Sequence, residues 1–305
     1  MKTTKETKEI LKYLEDKFSQ ADYEEYINGD ISYNNLCKKY NCTDYLMSVF
    51  FKKKGLVKRR TKMKSTLKED IFDNINSSEK AYIFGFYMAD GCISSENYFK
   101  ISISRNDLEL LTAIRNYMAP AAKIHIKEEY TNPKTGITTH SMCEFCFKNN
   151  HIANILNSYN CGYNKTYIDK SIKNIIPKEY MWDFIRGYFD GDGCVSSSIV
   201  NKSHTTITGE QKEYKHTNIL FKITSKTYTI LEELRAFMEE EGIYSSIQTP
   251  KQTFEIFTCS KKELVKIFNK LYYKPTIYMK RKFEKFKHII GNTEITTETK
   301  ESVAS

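Results

Sequence analysis

Apolar and polar positions along this chain state one pattern twice. Tyr82 to Asp90 and Phe184 to Asp192 are apolar, aromatic-rich runs predicted to be helices. Each carries small residues four apart, Gly85 and Ala89 in one, Gly187 and Gly191 in the other, and each ends in Asp-Gly. After the first run, Phe99, Ile101 and Ile103 alternate with Lys100, Ser102 and Ser104, the period of a half-buried strand; after the second, Phe221 and Ile223 alternate with Lys222 and Thr224. Amphipathic helices follow, through Leu108, Leu111, Ile114 and Tyr117, and through Ile230, Leu231, Leu234, Phe237 and Met238. Two more strand-like runs (123–130 with 142–147, and 244–249 with 253–260) and a closing helix (149–159 and 261–272) complete each half. The reading is α+β: two αββαββα repeats, at 78–170 and 171–291. The halves differ mainly in a polar insertion from Ser197 to Thr217, which lengthens the second half's first hairpin.

Residues four apart share a helix face, so Gly85 with Ala89 and Gly187 with Gly191 form two stripes of missing side chains. Two helices packed along such stripes approach closely and bring Asp90 and Asp192 side by side at their ends. A carboxylate in a last helical turn faces the negative end of the dipole, at a cost of a few tenths to about 1 kcal/mol, and two together also repel. A hard divalent cation, Mg2+ first among them, neutralises such a pair. A single Asp-Gly would mark only a helix end; two at matching places in a repeat point to a site.

The N-terminal 1–60 reads as a small helical module with a helix-turn-helix-like segment from Tyr26 to Thr43. Ser32 caps a first helix, Asn41 supplies the turn, Thr43 caps a second helix through Val49, Phe50 and Phe51, and Gly55 ends it. Residues 61–77 read as a basic and polar linker and 292–305 as a disordered tail.

Charge sharpens the picture. The 305 residues carry a formal net charge of +9, which favours polyanionic partners. From Phe50 to Lys64 there are eight basic residues and no acidic one: Lys52, Lys53, Lys54, Lys58, Arg59, Arg60, Lys62 and Lys64. A second cluster is Lys280, Arg281, Lys282, Lys285 and Lys287. The eight cysteines include one CxxC, Cys143 and Cys146, in a strand-like run where the two point to opposite faces, with no second pair at zinc-site spacing. No apolar signal segment or membrane-length run stands out, so free thiols in a reducing cytoplasm are expected, in a bacterial, phage or organellar setting. Trp182 beside the second motif is expected to serve packing.

The two motifs, their spacing and the repeat resemble a single-chain, double-motif LAGLIDADG homing endonuclease over residues 78–290; the first motif departs at Met88, where the family often has an acidic residue. The resemblance implies a monomer, with no obligate protein partner, that cuts both strands of a long asymmetric double-stranded DNA target across the minor groove. Each half's sheet would line a saddle in the major groove. Asp90 and Asp192 would hold Mg2+, with Mn2+ as a substitute, helped by the carbonyls of Ala89 and Gly191. A basic residue near each site is implied: Lys165 in the first half and Lys280 in the second, with Lys282 and Lys274 as rivals. DNA contacts are expected from the outward strand faces, Ser94, Ser95, Asn97, Lys100, Ser102 and Ser104 in one half and Ser196, Ser198, Lys222 and Thr224 in the other. Lys52, Lys53, Lys54, Lys58, Arg59 and Arg60 would add phosphate contacts from the N-terminal module. Two rival functions share the scaffold: a catalytically inactive DNA-binding regulator, and an intron maturase acting on RNA. Loss of one aspartate would have favoured the regulator, and both are present.

Overall fold

Two side-chain caps define the helices of the first unit. Ser32 accepts the N–H of Asn35 and opens α3 (Tyr33–Lys39), and Thr43 accepts that of Leu46 and opens α4 (Asp44–Lys54). Asn41 turns the chain between them at φ 47°, and Gly55 closes α4 in the left-handed region at φ 68°. With α1 (Thr4–Lys17) and α2 (Gln20–Asn28), these helices bury Leu14, Tyr26, Leu36, Cys37, Tyr40, Met47, Phe50 and Phe51. The computed structural model describes residues 4–28, 30–59, 66–205 and 207–301, in two compact units, Met1–Ser65 and Thr66–Ser305.

The first unit contains a buried acid, Asp22, bonded to Lys39, the Ser19 hydroxyl and N–H, and the Tyr40 hydroxyl. Burial pushes its carboxyl up, but these donors together overcome that and hold it well below the usual carboxylate range. A depressed folded value means the carboxylate stabilises the unit above the unfolded value of about 3.9 and ceases to as pH falls below it. Asp22→Asn is therefore expected to destabilise α1–α4 by about 1–3 kcal/mol at pH 7, the gap closing below about pH 3. Urea-dependent amide exchange in these helices reads the difference, and equal protection at pH 7 would remove Asp22 from the account.

In the second unit the helix of the first motif, α5 (Ser78–Asp90), is capped by Ser77 and buried continuously from Ala81 to Met88. Its counterpart is α8 (Met181–Asp192). Each runs straight into a strand, α5 into β1 (Gly91–Ile93) and α8 into β7 (Gly193–Thr205). The first sheet adds β2 (Tyr98–Ser104), β3 (Ile124–Lys127) and β6 (Met142–Lys148), in the order β1-β2-β6-β3. The second adds β8 (Gln211–Ser225), β9 (Ser246–Gln248) and β10 (Phe254–Thr258), in the order β7-β8-β10-β9. Helices α6 (Leu108–Met118) and α7 (Asn150–Ser158) belong to the first repeat, α9 (Tyr228–Glu240) and α10 (Lys261–Leu271) to the second.

Register makes the repeat exact at residue level. One rung runs Gly91, Ile101, Phe145, Ile124 in the first sheet and Gly193, Ile223, Ile256, Ile247 in the second. The insertion lies where expected. Strands β7 and β8 stay paired out to Thr205↔Gln211, whereas β1 and β2 stop at Ile93↔Phe99. A small hairpin of β4 (Tyr130–Thr131) and β5 (Thr138–Thr139) marks the first repeat instead. Cys143 is buried and Cys146 exposed on β6, and Trp182 packs on Phe237 at 5.5 Å between ring centroids.

Two boundaries differ from those the sequence suggests. Within the expected linker, Leu67, Ile71, Phe72 and Ile75 are buried, and Phe72 packs on Phe84, Tyr87 and Phe99; residues 61–65 lie outside the described residues. Leu67, Ile71 and Ile75 recur every four residues, yet the segment folds as turn and not as helix, and only the partner surface reveals these residues as core. The last helix, α11 (Lys280–Glu301), takes in much of the tail expected to be disordered, a stretch with no proline and with the helix formers Glu294, Glu298, Lys300 and Glu301; residues 302–305 lie outside the described residues. Phe286 of α11 packs on Phe189 and Phe221 as Phe72 packs on Tyr87 and Phe99. The same place in each repeat is thus filled from opposite ends of the chain.

Candidate active site

The two motif helices touch along their small residues. A Cβ built on Gly85 would lie 2.1 Å from the Phe184 carbonyl oxygen, and one on Gly187 would lie 2.1 Å from that of Tyr82. Toward the C-terminal ends, a Cβ on Gly191 would meet the Ala89 Cβ at 2.2 Å and Asp90 Oδ2 at 3.3 Å. The Gly85/Ala89 and Gly187/Gly191 stripes are therefore the helix interface. At the opposite end the Ser78 hydroxyl donates to Asp183 at 2.6 Å, and buried Arg186 donates to Asp183 and to the Leu271 and Ile277 carbonyls.

Glycine ends both helices because of space. Gly91 and Gly193 have extended backbone (φ −87° and −88°, ψ 161° in both), open to any residue, but a Cβ on either would lie 2.2 Å from the ring of Tyr87 or Phe189. The chain folds back over that ring into the strand, leaving Asp90 and Asp192 at the rim of the helix pair.

Each aspartate keeps an exposed edge amid dense surroundings. Burial and then the charge of Asp192 push the Asp90 carboxyl up to about 6, against the pull of Lys282 and Lys165. Asp192 is raised by burial, against the same two lysines. These lysines are buried. Lys165, on a short 3-10 turn (Lys165–Tyr167), donates to the Met88 carbonyl at 2.6 Å and lies over the Tyr87 ring. Lys282, in the first turn of α11, donates to the carbonyls of Phe189 (2.7 Å), Gly191 (3.0 Å) and Gly193 (2.7 Å). Burial and neighbouring Lys170 lower the Lys165 ammonium to about 8, and burial lowers that of Lys282. An ammonium at the carbonyl end of each motif helix offsets both the helix dipole and the paired carboxylates.

The expected second lysine is corrected here. Lys280 is exposed, and Lys282 is the residue brought to the helix end. Lys282, Phe286 and Ile289 are the buried i, i+4, i+7 stripe of α11, and Lys280 falls on its outer face. That stripe is present in the sequence and was the signal for choosing among the three lysines. Lys274 is exposed, beside the Tyr273 ring.

The expected contact residues are outward-facing but mostly engaged. Lys100 and Lys127 both bind Glu144, at 2.8 and 2.9 Å, and Ser102 donates to it at 3.4 Å. In the second sheet Lys222 binds Glu255 at 2.6 Å, joined by Thr224 and Gln248. Ser94 and Ser104 accept backbone N–H groups of turns, and Asn97 sits in the β1–β2 turn at φ 65°, donating to Asn150. Ser95 and Ser198 are exposed and Ser196 half-buried. In the first unit Lys52 and Lys54 are exposed at the end of α4, Lys53 pairs with Glu15, and Lys58 and Arg59 lie over the rings of Tyr33 and Tyr26. Arg60 lies outside the described residues.

Among the described residues no three His, Cys, Asp or Glu side chains converge as a metal cluster. Two carboxylates and helix-end carbonyls are nevertheless hard oxygen donors of the kind Mg2+ takes, with its remaining positions open to water and ligand oxygens. Of the expected carbonyl donors, that of Gly191 already accepts from Lys282 and has one lone pair left. No described helix is long and apolar enough to cross a membrane.

Residues 179–291 match the family model of a LAGLIDADG-like domain. No curated protein matches the chain. Among solved structures the chain is similar to the LAGLIDADG meganuclease I-AabMI bound to uncleaved DNA, at 15% identity and TM-score 0.48, covering 71% of this chain and 91% of that one. It is also similar to the I-LtrWI LAGLIDADG homing endonuclease bound to target DNA, at 15% identity and TM-score 0.45, covering 72% and 91%. The family model spans the second repeat, and the first repeat reproduces its strand register, its glycine contact and its Asp-Gly helix end. The second repeat is therefore a LAGLIDADG-like domain, and the first repeat carries the same motif.

Proposed function

We propose that the chain is a site-specific double-strand DNA endonuclease dependent on a divalent cation. One observation carries this reading: two carboxylates meet at the ends of paired helices, with a buried lysine behind each helix end. Paired carboxylates at helix ends oppose stability, the lysines offset part of that cost, and the combination suits phosphodiester hydrolysis. Asp90 and Asp192 would hold Mg2+, with Mn2+ as substitute, and the bound ion supplies Lewis-acid stabilisation of the charge that develops on the phosphate oxygens. Lys165 and Lys282 hold the helix ends and keep positive charge beside the scissile phosphates, and Lys165, lowered to about 8, is suited to moving a proton near neutral pH. The polar faces of the two sheets, extended in the second half by the long β7–β8 hairpin, would read a long asymmetric duplex as a monomer. The basic end of the first unit would add phosphate contacts.

The experiment is incubation of the full chain with a randomised duplex library in Mg2+, with broken ends sequenced. Discrete double-strand breaks, abolished by EDTA and restored by Mg2+ or Mn2+, are expected. Tight binding with no breaks would favour the DNA-binding regulator, and binding only to structured RNA would favour the maturase. The lysines are separable on the same target. Lys282→Met is expected to slow cutting by about 10²-fold or more, the scale of a positioned charged or proton-transferring group, whereas exposed Lys280→Met leaves the rate nearly unchanged. The reverse order would restore Lys280 to the site.

A further inference from the structure

The second motif has a support that the first lacks. Two residues before Asp192 stands Asp190, 1% exposed; the matching place before Asp90 holds Met88, 5% exposed. Asp190 Oδ2 accepts the Tyr82 hydroxyl and the Met279 N–H, both at 2.7 Å, and its Oδ1 is buried with no partner among the described residues. A buried carboxylate with one oxygen unpaired is costly. Met88 shows that this place accepts an apolar side chain without altering the helix end, since both helices finish with the same backbone angles. Helix packing alone does not account for Asp190.

Its partners do. The Met279 carbonyl accepts the N–H groups of Lys282 and Phe283, both at 3.0 Å, so Met279 opens α11, and its own N–H is one of the donors a helix start leaves without an internal partner. Asp190 supplies that partner from another element and places negative charge at the positive end of the helix. Arg281, two residues on, is held by buried Asp107 at 3.0 and 3.2 Å. Lys282, three residues after Met279, then reaches back to the carbonyls of Phe189, Gly191 and Gly193. The loop is closed: α8 grips the start of α11 through a carboxylate, and the start of α11 grips the end of α8 through an ammonium. Lys165 has no carboxylate brace among the described residues; its turn is held instead by buried Lys170, whose ammonium donates to the Lys165 carbonyl. Lys165 itself sits on a 3-10 turn, bonds one carbonyl, and faces Met88.

We propose that Asp190 is a positioning residue for Lys282 alone, which makes the two centres unequal and places the strand served by Lys282 under the control of Asp190. The consequence for cutting rests on the endonuclease reading; the positioning does not. The test uses the full chain with Asp190→Met, the first repeat's own residue, and Asp190→Asn, the milder change should the first fail to fold. Pulsed acetylation read by mass spectrometry follows Lys282 and Lys165 separately. The expected result is Lys282 labelling at least about tenfold faster than in the unmutated chain, Lys165 unchanged, and Tyr82→Phe, which removes the carboxylate's other donor, without effect on either. On a cut target, one strand slows about tenfold or more, nicked duplex accumulates, and the other strand keeps its rate. Unchanged Lys282 labelling, or equal gains at both lysines, overturns the positioning. Equal slowing of both strands overturns the inequality. Selective Lys282 labelling in a protein that cuts nothing upholds the positioning and overturns the endonuclease reading.

Discussion

Asp90→Asn and Asp192→Asn are expected each to abolish double-strand cutting, by on the order of 10³-fold or more, while leaving the protein at least as stable as before. The opposed signs follow from the geometry. Both carboxylates lie in last helical turns, against the dipole, and the charge of Asp192 helps raise Asp90. Removing one charge at nearly constant volume relieves repulsion and a dipole penalty of about 0.3–1 kcal/mol. Both carboxyls stay raised despite the pull of Lys165 and Lys282, so the lost attraction to those lysines does not outweigh the gain, and neither side chain has a hydrogen bond within the described residues to lose. A structural aspartate behaves oppositely: Asp22, ringed by donors, costs stability when neutralised. Thermal melts, metal-free DNA binding and cleavage on one preparation decide the matter. If either variant melts several degrees lower, or still cuts, the paired aspartates are not the centre.

Gly187→Ala is expected to cost about 3 kcal/mol or more and to stop the second unit folding at 37 °C. The added methyl would gain up to about 1 kcal/mol of helix propensity, which cannot compensate for a Cβ placed 2.1 Å from the Tyr82 carbonyl oxygen and 2.8 Å from the Phe86 nitrogen. Both obstacles are backbone, so relief requires the helices to separate, which in turn draws the two aspartates apart. Gly85→Ala meets the same obstacle from the other side. Gly291→Ala is the control: nothing lies within 4 Å of its added Cβ, so only the propensity gain remains. Trp182, the single tryptophan, sits in α8 and reports urea unfolding of this unit by fluorescence. A Gly187→Ala midpoint within error of the unmutated chain would show that the helices pack with slack.

What could be read from the sequence was whatever depended on local period or local chemistry. Strand alternation at Phe99–Ser104 and Phe221–Ser225, the glycine stripes, and the caps at Ser32 and Thr43 are each visible within a few residues, and the structure places them as read. The misses are long-range. Nothing near Leu67 or Phe72 announces that Tyr87 and Phe99 lie above them. Lys282 stood two residues from the expected Lys280, and the difference depends on its burial against Phe189, some ninety residues away. Asp190 was visible as an acid but not as a brace, since both its partners lie about as far off in the chain.

The glutamates at the centre of the two sheets carry a thermodynamic consequence. A duplex laid over these faces does not meet three bare lysines. It meets three lysines already paired with two glutamates, Lys100 and Lys127 sharing Glu144 and Lys222 on Glu255, and must exchange one anion for another. Such an exchange releases fewer condensed counterions than the lysine count implies, so affinity should fall with salt less steeply than three unpaired lysines at these faces would give. The phosphate backbone, which is the same in every sequence, then contributes less at these faces, and a larger share of the binding free energy is left to the base edges.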